Sequence, residues 1–221
     1  MTLNLIVDQL RFFCDIGITE LAVDDGSLLR DDSRQQTMTL ENIKGEIGDC
    51  QRCQLAGSRT NIVFGSGNPD ADLMFVGEAP GSEEDRQGVP FVGRAGQLLT
   101  KIIESIDLKR DDVYISNVLK CRPPGNRNPE PGEVETCSPF LRKQLLSIRP
   151  KLVCCLGAFA AQTMLGMKTP ISQLRGRFYD IDGVRIIATF HPAYLLRNAG
   201  KKREVWEDMK QIRAELLRLR S

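Results

Sequence analysis

Cys50 and Cys53 form a C-x2-C pair, and Cys121 and Cys137 follow farther along the chain. A tight turn points both thiolates of such a pair the same way, so they can share one metal ion or one cluster. Zinc and iron–sulfur ligation both fit this spacing. A thioredoxin-like redox pair fits less well, because the segment is not at a strand-to-helix turn. Unligated thiols are the plain structural alternative. The chain has seven cysteines, an odd count that disfavours a disulfide framework. Cys154 and Cys155 sit in an apolar strand and Cys14 in an apolar helix, where buried core thiols are the expected state.

A second group of residues is suited to polar chemistry. His191 is the only histidine. It follows a strand and precedes Pro192, which favours an extended residue before it and places the imidazole at the strand's carboxyl end. Glu78 directly follows an apolar run, between Gly77 and Pro80, in a loop whose glycines let backbone N–H groups approach a ligand. A turn carboxylate capping the next segment is the structural alternative. Asn117 ends another strand and offers both a donor and an acceptor, for a ligand edge or for closing a turn. Phe91, between Pro90 and Gly93, is either a lid over the core or a stacking platform.

The elements that must position these residues alternate between strand and helix signals. Residues 73–77, 113–117 and 152–157 read as short buried strands. Residues 94–106, 132–148 and 158–165 read as helices. Residues 177–181 and 184–188 flank Asp182-Gly183, a hairpin signal. Residues 201–219 read as a charged amphipathic helix. Such alternation predicts an α/β sandwich with a mainly parallel sheet. Ligands of these sheets bind beyond the carboxyl ends of the strands. Glu78, Asn117 and His191 all fall in loops on that rim. Residues 1–38 read as a separate N-terminal extension, helical over residues 3–13 and then loose, and residues 39–221 as the body. Thr39 is placed to cap a helix running to Asp49.

Of the 221 residues, 41% are hydrophobic and 27% charged, ordinary for a globular chain. No apolar run approaches the ~20 residues that span a bilayer. Residues 1–15 show no basic flank before an apolar stretch, so a signal peptide is not expected and the chain reads as cytoplasmic. The net charge is only +1, but it is unevenly spread. Residues 1–49 hold ten acidic and four basic side chains, so the remainder is net basic. That suits a polyanionic partner, or simply an uneven solvated surface.

Taken together, Gly77-Glu78-Ala79-Pro80-Gly81, Pro90-Phe91-Val92-Gly93, Asn117 with Lys120-Cys121-Arg122-Pro123-Pro124, and His191 to Arg197 resemble the family-4 uracil-DNA glycosylases, as does the cysteine set. The resemblance covers about residues 44–218. It implies a three-layer α/β/α sandwich with a four-stranded parallel central sheet, and a [4Fe–4S] cluster held by Cys50, Cys53, Cys121 and Cys137. It thereby favours iron over zinc. It also implies a monofunctional hydrolase, expected as a monomer, that removes uracil from DNA in base excision repair.

Carried onto this chain, the chemistry begins with a flipped nucleotide. Phe91 stacks on the uracil ring, Asn117 pairs with its N3–H and O4, and Gly77 and Ala79 line the pocket. His191 donates to O2 as charge develops there. Glu78 holds the water and offsets the positive sugar. The best-known uracil glycosylases carry Asp where this chain has Ala79 and Tyr where it has Gly81, so Glu84 is an alternative partner for the water and a block against a 5-methyl group. Leu195 and Leu196 are expected to wedge into the vacated space. Arg197, Lys201 and Lys202 are expected to meet phosphates. Competing expectations are a non-catalytic DNA-binding module, a covalent abasic-site trap and a zinc-bound redox protein. The trap would need a histidine at 122–131, and there is none.

Overall fold

The computed structural model describes residues 39–181 and 183–220. The expected extension at 1–38, with Cys14, lies outside the described residues. The body opens with helix α1 (Leu40–Ile47). Thr39 Oγ1 accepts the Asn42 N–H at 3.2 Å, the predicted cap. The helix stops at Ile47, two residues early, where Gly48 takes φ 50° and its N–H bonds Lys44 O.

Six strands follow: β1 (Ser66–Gly67), β2 (Leu73–Gly77), β3 (Tyr114–Asn117), β4 (Leu152–Leu156), β5 (Phe178–Ile181) and β6 (Val184–Thr189). They form one mixed sheet in the order β1-β3-β2-β4-β6-β5. The middle strands β3, β2, β4 and β6 are parallel neighbours. β1 and β5 add antiparallel edges. The expected four-stranded parallel sheet is therefore the centre of a six-stranded mixed one. β1 has only two residues, too few to show any alternation. β5 belongs to the hairpin that the sequence signalled, and a hairpin partner must run antiparallel.

Strand alternation sorts the core into two layers. Met74, Val76, Val153, Cys155, Ile186 and Ala188 face one side. There they meet helices α4 (Pro131–Ile148), α5 (Ala158–Leu165) and α6 (Ile171–Leu174). Leu73, Phe75, Ile115, Leu152, Cys154 and Ile187 face the other side. Opposite them lie α3 (Arg94–Glu104), α7 (Pro192–Arg197) and α8 (Lys202–Arg220). Cys154 and Cys155 are fully buried, one in each layer. They are core thiols, as expected.

Three short helices differ from the sequence reading. α2 (Ser82–Gln87) and α7 lie in segments read as loops, and α6 was not anticipated. None exceeds six residues, which is under two turns and too short for a 3.6-residue period to stand out. Among the described residues no helix is long and apolar enough to cross a membrane.

Candidate active site and cysteine cavity

The carboxyl ends of β2, β3 and β6 open into a cleft of about 430 Å³, within the usual range for small-molecule sites. Glu78, Ala79, Glu84, Phe91, Asn117, His191 and Arg197 line it. The chain leaves β2 for β3 on one side and then crosses to β4 and β6 on the other. Such reversals leave a crevice at the strand ends.

Asn117 pairs in register with Gly77 across β3 and β2. A side chain at Gly77 would meet Asn117 Oδ1 at 2.3 Å and the Phe91 ring at 2.6 Å. Only glycine lets the carboxamide and the ring close over the strand end. Asn117 is 1% exposed, and its Oδ1 is the one buried side-chain acceptor without a hydrogen bond among the described residues. An orphan buried acceptor is costly unless a ligand satisfies it. The chain beyond is pinned as well: the Val118 N–H bonds Gly77 O at 2.9 Å and the Leu119 N–H bonds Glu78 O at 3.0 Å.

Phe91 adopts φ 51°, unusual for an aromatic residue. Its neighbours hold it there. Glu84 Oε1 accepts the N–H groups of Val92 and Gly93, both at 2.9 Å. Arg110 donates to Pro90 O at 2.5 Å. A side chain at Gly96 would lie 1.8 Å from Phe91 O. The Phe91 ring centroid is 5.6 Å from that of His191. Glu84 was expected as an alternative water partner. It lines the cleft, but Oε1 is committed to this loop.

His191 caps α7: Nδ1 accepts the Ala193 N–H at 3.1 Å. The single proton of the neutral ring is then at Nε2. Burial, helped by Arg197 and opposed by Glu84, pulls the imidazole down to about 4, so it is neutral at ordinary pH. Its strand is braced from behind. Thr189 Oγ1 donates to Asp208 Oδ2 at 2.6 Å, and Arg175 pairs with the same carboxylate at 2.5 Å. Glu78 is raised above the ordinary carboxylate range, with burial as the sole cause.

α7 separates two residues that the sequence grouped. Leu195 is 1% exposed and packs in the core, whereas Leu196 is 42% exposed. Adjacent positions lie about 100° apart around a helix, given 3.6 residues per turn. Of the two leucines expected as wedges, Leu196 is the one with its side chain at the surface. Lys201 pairs with Glu204 at 2.6 Å. Lys202 lies at a neighbouring groove with Trp206. Asn126, Arg127 and Tyr194 line the cleft too and were not singled out. The signal available was Pro123-Pro124-Gly125, a rigid turn flanked by arginines.

Cys50, Cys53, Cys121 and Cys137 line one apolar cavity with Leu55, Arg59, Lys120 and Phe140. Arg52 donates to Cys50 Sγ at 3.3 Å and Arg59 to Cys121 Sγ at 3.8 Å. The Lys120 N–H reaches Cys137 Sγ at 3.3 Å. Burial pushes the Cys121 thiol up to about 12 and raises Cys137 as well. Lys120 is buried, and its Nζ contacts only neutral acceptors. Burial pulls the Lys120 amine down to about 7, opposed by Cys137; an anionic group in the adjoining cavity, which is lined by four thiols, would favour its charged form.

The sequence model of the Uracil DNA glycosylase superfamily matches residues 64–210. The chain is similar to the type-4 uracil-DNA glycosylase of Archaeoglobus fulgidus, at 47% identity over 79% of this chain and 92% of the relative. It is also similar to that of Thermotoga maritima, at 45% identity over 79% of this chain and 93% of the relative. The Sulfurisphaera tokodaii protein of the same description is 44% identical over 79% and 84%. With this identity spanning nearly the whole of each relative, and with the cleft built from the same stretch of chain, the protein belongs to the type-4 uracil-DNA glycosylases of the uracil-DNA glycosylase superfamily.

Proposed function

We infer that this protein excises uracil from DNA by hydrolysing its N-glycosidic bond, leaving an abasic site. The observation that carries the reading at the level of residues is the orphan Oδ1 of Asn117, held beside the Phe91 ring. Uracil presents N3–H and O4, which match the carboxamide's acceptor and donor. Cytosine presents the reverse edge and would leave both groups unsatisfied, a penalty that a buried site magnifies.

The flipped ring stacks on Phe91. His191 donates from Nε2–H to O2, where negative charge builds as the C1′–N1 bond breaks. A neutral donor suits this role, since it stabilises the developing anion without a full proton transfer. Glu78, a carboxylate at the cleft wall, holds the water and faces the positive sugar. Glu84 shapes the pocket by fixing the Phe91 loop. Leu196 enters the space the base vacates, and Arg197 and Lys202 meet phosphates.

The four cavity thiols suit a [4Fe–4S] cluster. No group of three or more His, Cys, Asp or Glu among the described residues is gathered as ligands of one ion. Arg52, Arg59 and Lys120 offset the thiolate charge. Cys50, Cys53, Cys121 and Cys137 would hold the cluster and so join the segment before β1 to the loop after β3 and to α4; the hydrolysis needs no electron transfer.

Incubation with a uracil-containing oligonucleotide, followed by alkali, tests the reading. Strand cleavage at uracil and not at cytosine is expected. Intact strands after incubation with iron-loaded protein would overturn it.

A further inference from the structure

Lys120 takes no part in the excision steps above, yet it is 2% exposed. Its side chain turns back under the end of β3. Nζ donates to Ser116 Oγ at 2.6 Å, to the backbone oxygen of Asn117 at 2.8 Å and to Gln144 Oε1 at 2.7 Å. An ammonium has three N–H donors, so all three are matched. Gln144 is fully buried and is itself fixed, since Nε2 donates to Phe64 O at 2.9 Å. Ser116 Oγ contacts the same carbonyl at 3.1 Å.

The other connections of Lys120 lead toward the cysteine cavity. Its own N–H reaches Cys137 Sγ, and Cys121 is the next residue. Gln144 lies on α4 two turns beyond Cys137, and positions seven apart share a helix face. A single helix therefore presents one thiol to the cavity and one acceptor to Lys120.

We propose that Lys120, held by Gln144, is a positioning residue that sets the Asn117 carboxamide for base reading and couples its placement to the cysteine cavity. This rests on the reading of Asn117 given above. Asn117 Oδ1 has no protein partner, so its aim depends on the backbone beneath it. That backbone is fastened by its register with β2, by the Val118 and Leu119 amides on Gly77 O and Glu78 O, and by the amine on the Asn117 carbonyl itself. Without the amine the carbonyl would be left buried and unsatisfied, and the strand end would shift to relieve it. Small displacements of reacting groups are costly, since a 1 Å misplacement can lose ~10²-fold in rate.

The test uses Lys120→Met and Asn117→Ala, alone and combined, in iron-loaded protein. Iron content, thermal midpoint, single-turnover excision and relative affinity for uracil- over cytosine-containing DNA are measured. For Lys120→Met the expected result is retained iron, with excision lowered ~10–100-fold and the affinity ratio reduced. Added to Asn117→Ala, it should lower the affinity ratio no further, because it acts through the group already removed. Should Lys120→Met fail to fold, Gln144→Leu loosens the strut from the α4 side and should give the same pattern at smaller size. Three outcomes would overturn the proposal: a lowered midpoint with excision within twofold of wild type, excision lost only in proportion to iron, or a full additional loss on the Asn117→Ala background. A normal affinity ratio in Asn117→Ala alone would instead overturn the reading of Asn117 on which this stands.

Discussion

The Nδ1 atom of His191 accepts the backbone N–H of Ala193 at 3.1 Å, and this one bond decides which proton the ring can offer. With Nδ1 occupied as an acceptor, the neutral imidazole carries its hydrogen at Nε2. Pro192, at the first helical position, leaves Ala193 as the first free amide of α7. A cap and a donor are thus made from one side chain.

His191→Ala should lower single-turnover excision by ~10²–10³, the usual loss for one such donor. Ground-state affinity for uracil-containing DNA should fall much less, because Phe91 and Asn117 remain. A variant with normal excision per folded molecule and only reduced thermal stability would make His191 a cap and nothing more.

The pH behaviour follows from two opposite shifts. His191 titrates near 4 when folded, against about 6.5 unfolded. Between these values the unfolded chain takes up a proton that the folded site refuses, so stability is full above 6.5 and falls as pH drops toward 4. Excision should show no break near 6.5 from this ring. Its acid limb should instead follow Glu78, which burial raises above the carboxylate range. Glu78→Gln should remove that limb along with most of the rate. A persistent break near 6.5 in rate–pH profiles would reassign His191 as a proton carrier.

Cys121→Ser should abolish iron binding and the brown colour of anaerobically purified protein, and should lower the thermal midpoint. Cys154→Ser, at a thiol buried in the core, should keep full iron. Equal iron in both variants, measured by elemental analysis, would remove Cys121 from the ligand set.

Leu195 and Leu196 separate stability from DNA handling. Leu195→Ala should cost about 2–5 kcal/mol in denaturant unfolding, as core truncations do. Leu196→Ala should unfold almost as wild type but slow excision from U·A pairs more than from U·G mismatches, where less pairing must be broken. Equal slowing on both pairs would place the wedge elsewhere.

Arg197→Ala should lower the slope of log affinity against log salt by about one unit, as for one lost phosphate contact. Lys201→Ala should lower it less, since Glu204 already neutralises that cation. The reverse order, in binding titrations across salt, would move the DNA path toward Lys201.

The sequence by itself determined the kinds of chemistry and their order along the chain. Short apolar runs at 73–77, 113–117 and 152–157 had to be buried strands, and Glu78, Asn117 and His191 stand at or just beyond the carboxyl ends of the first, the second and the hairpin strand at 184–188. That pattern needs only local periodicity and one rule about parallel sheets. The C-x2-C pair and the lone histidine before proline were likewise visible as spacing. Tertiary structure decided what each side chain is free to do. It turned Leu195 inward and Leu196 outward, spent Glu84 Oε1 on the Phe91 loop, left Asn117 Oδ1 unpaired and placed Lys120 beneath it. Gln144 and Lys120 are 24 residues apart, and Glu84 binds amides eight and nine residues away. Hydrogen-bond partners at such separations are fixed by how helices pack on the sheet, and no local periodicity encodes them.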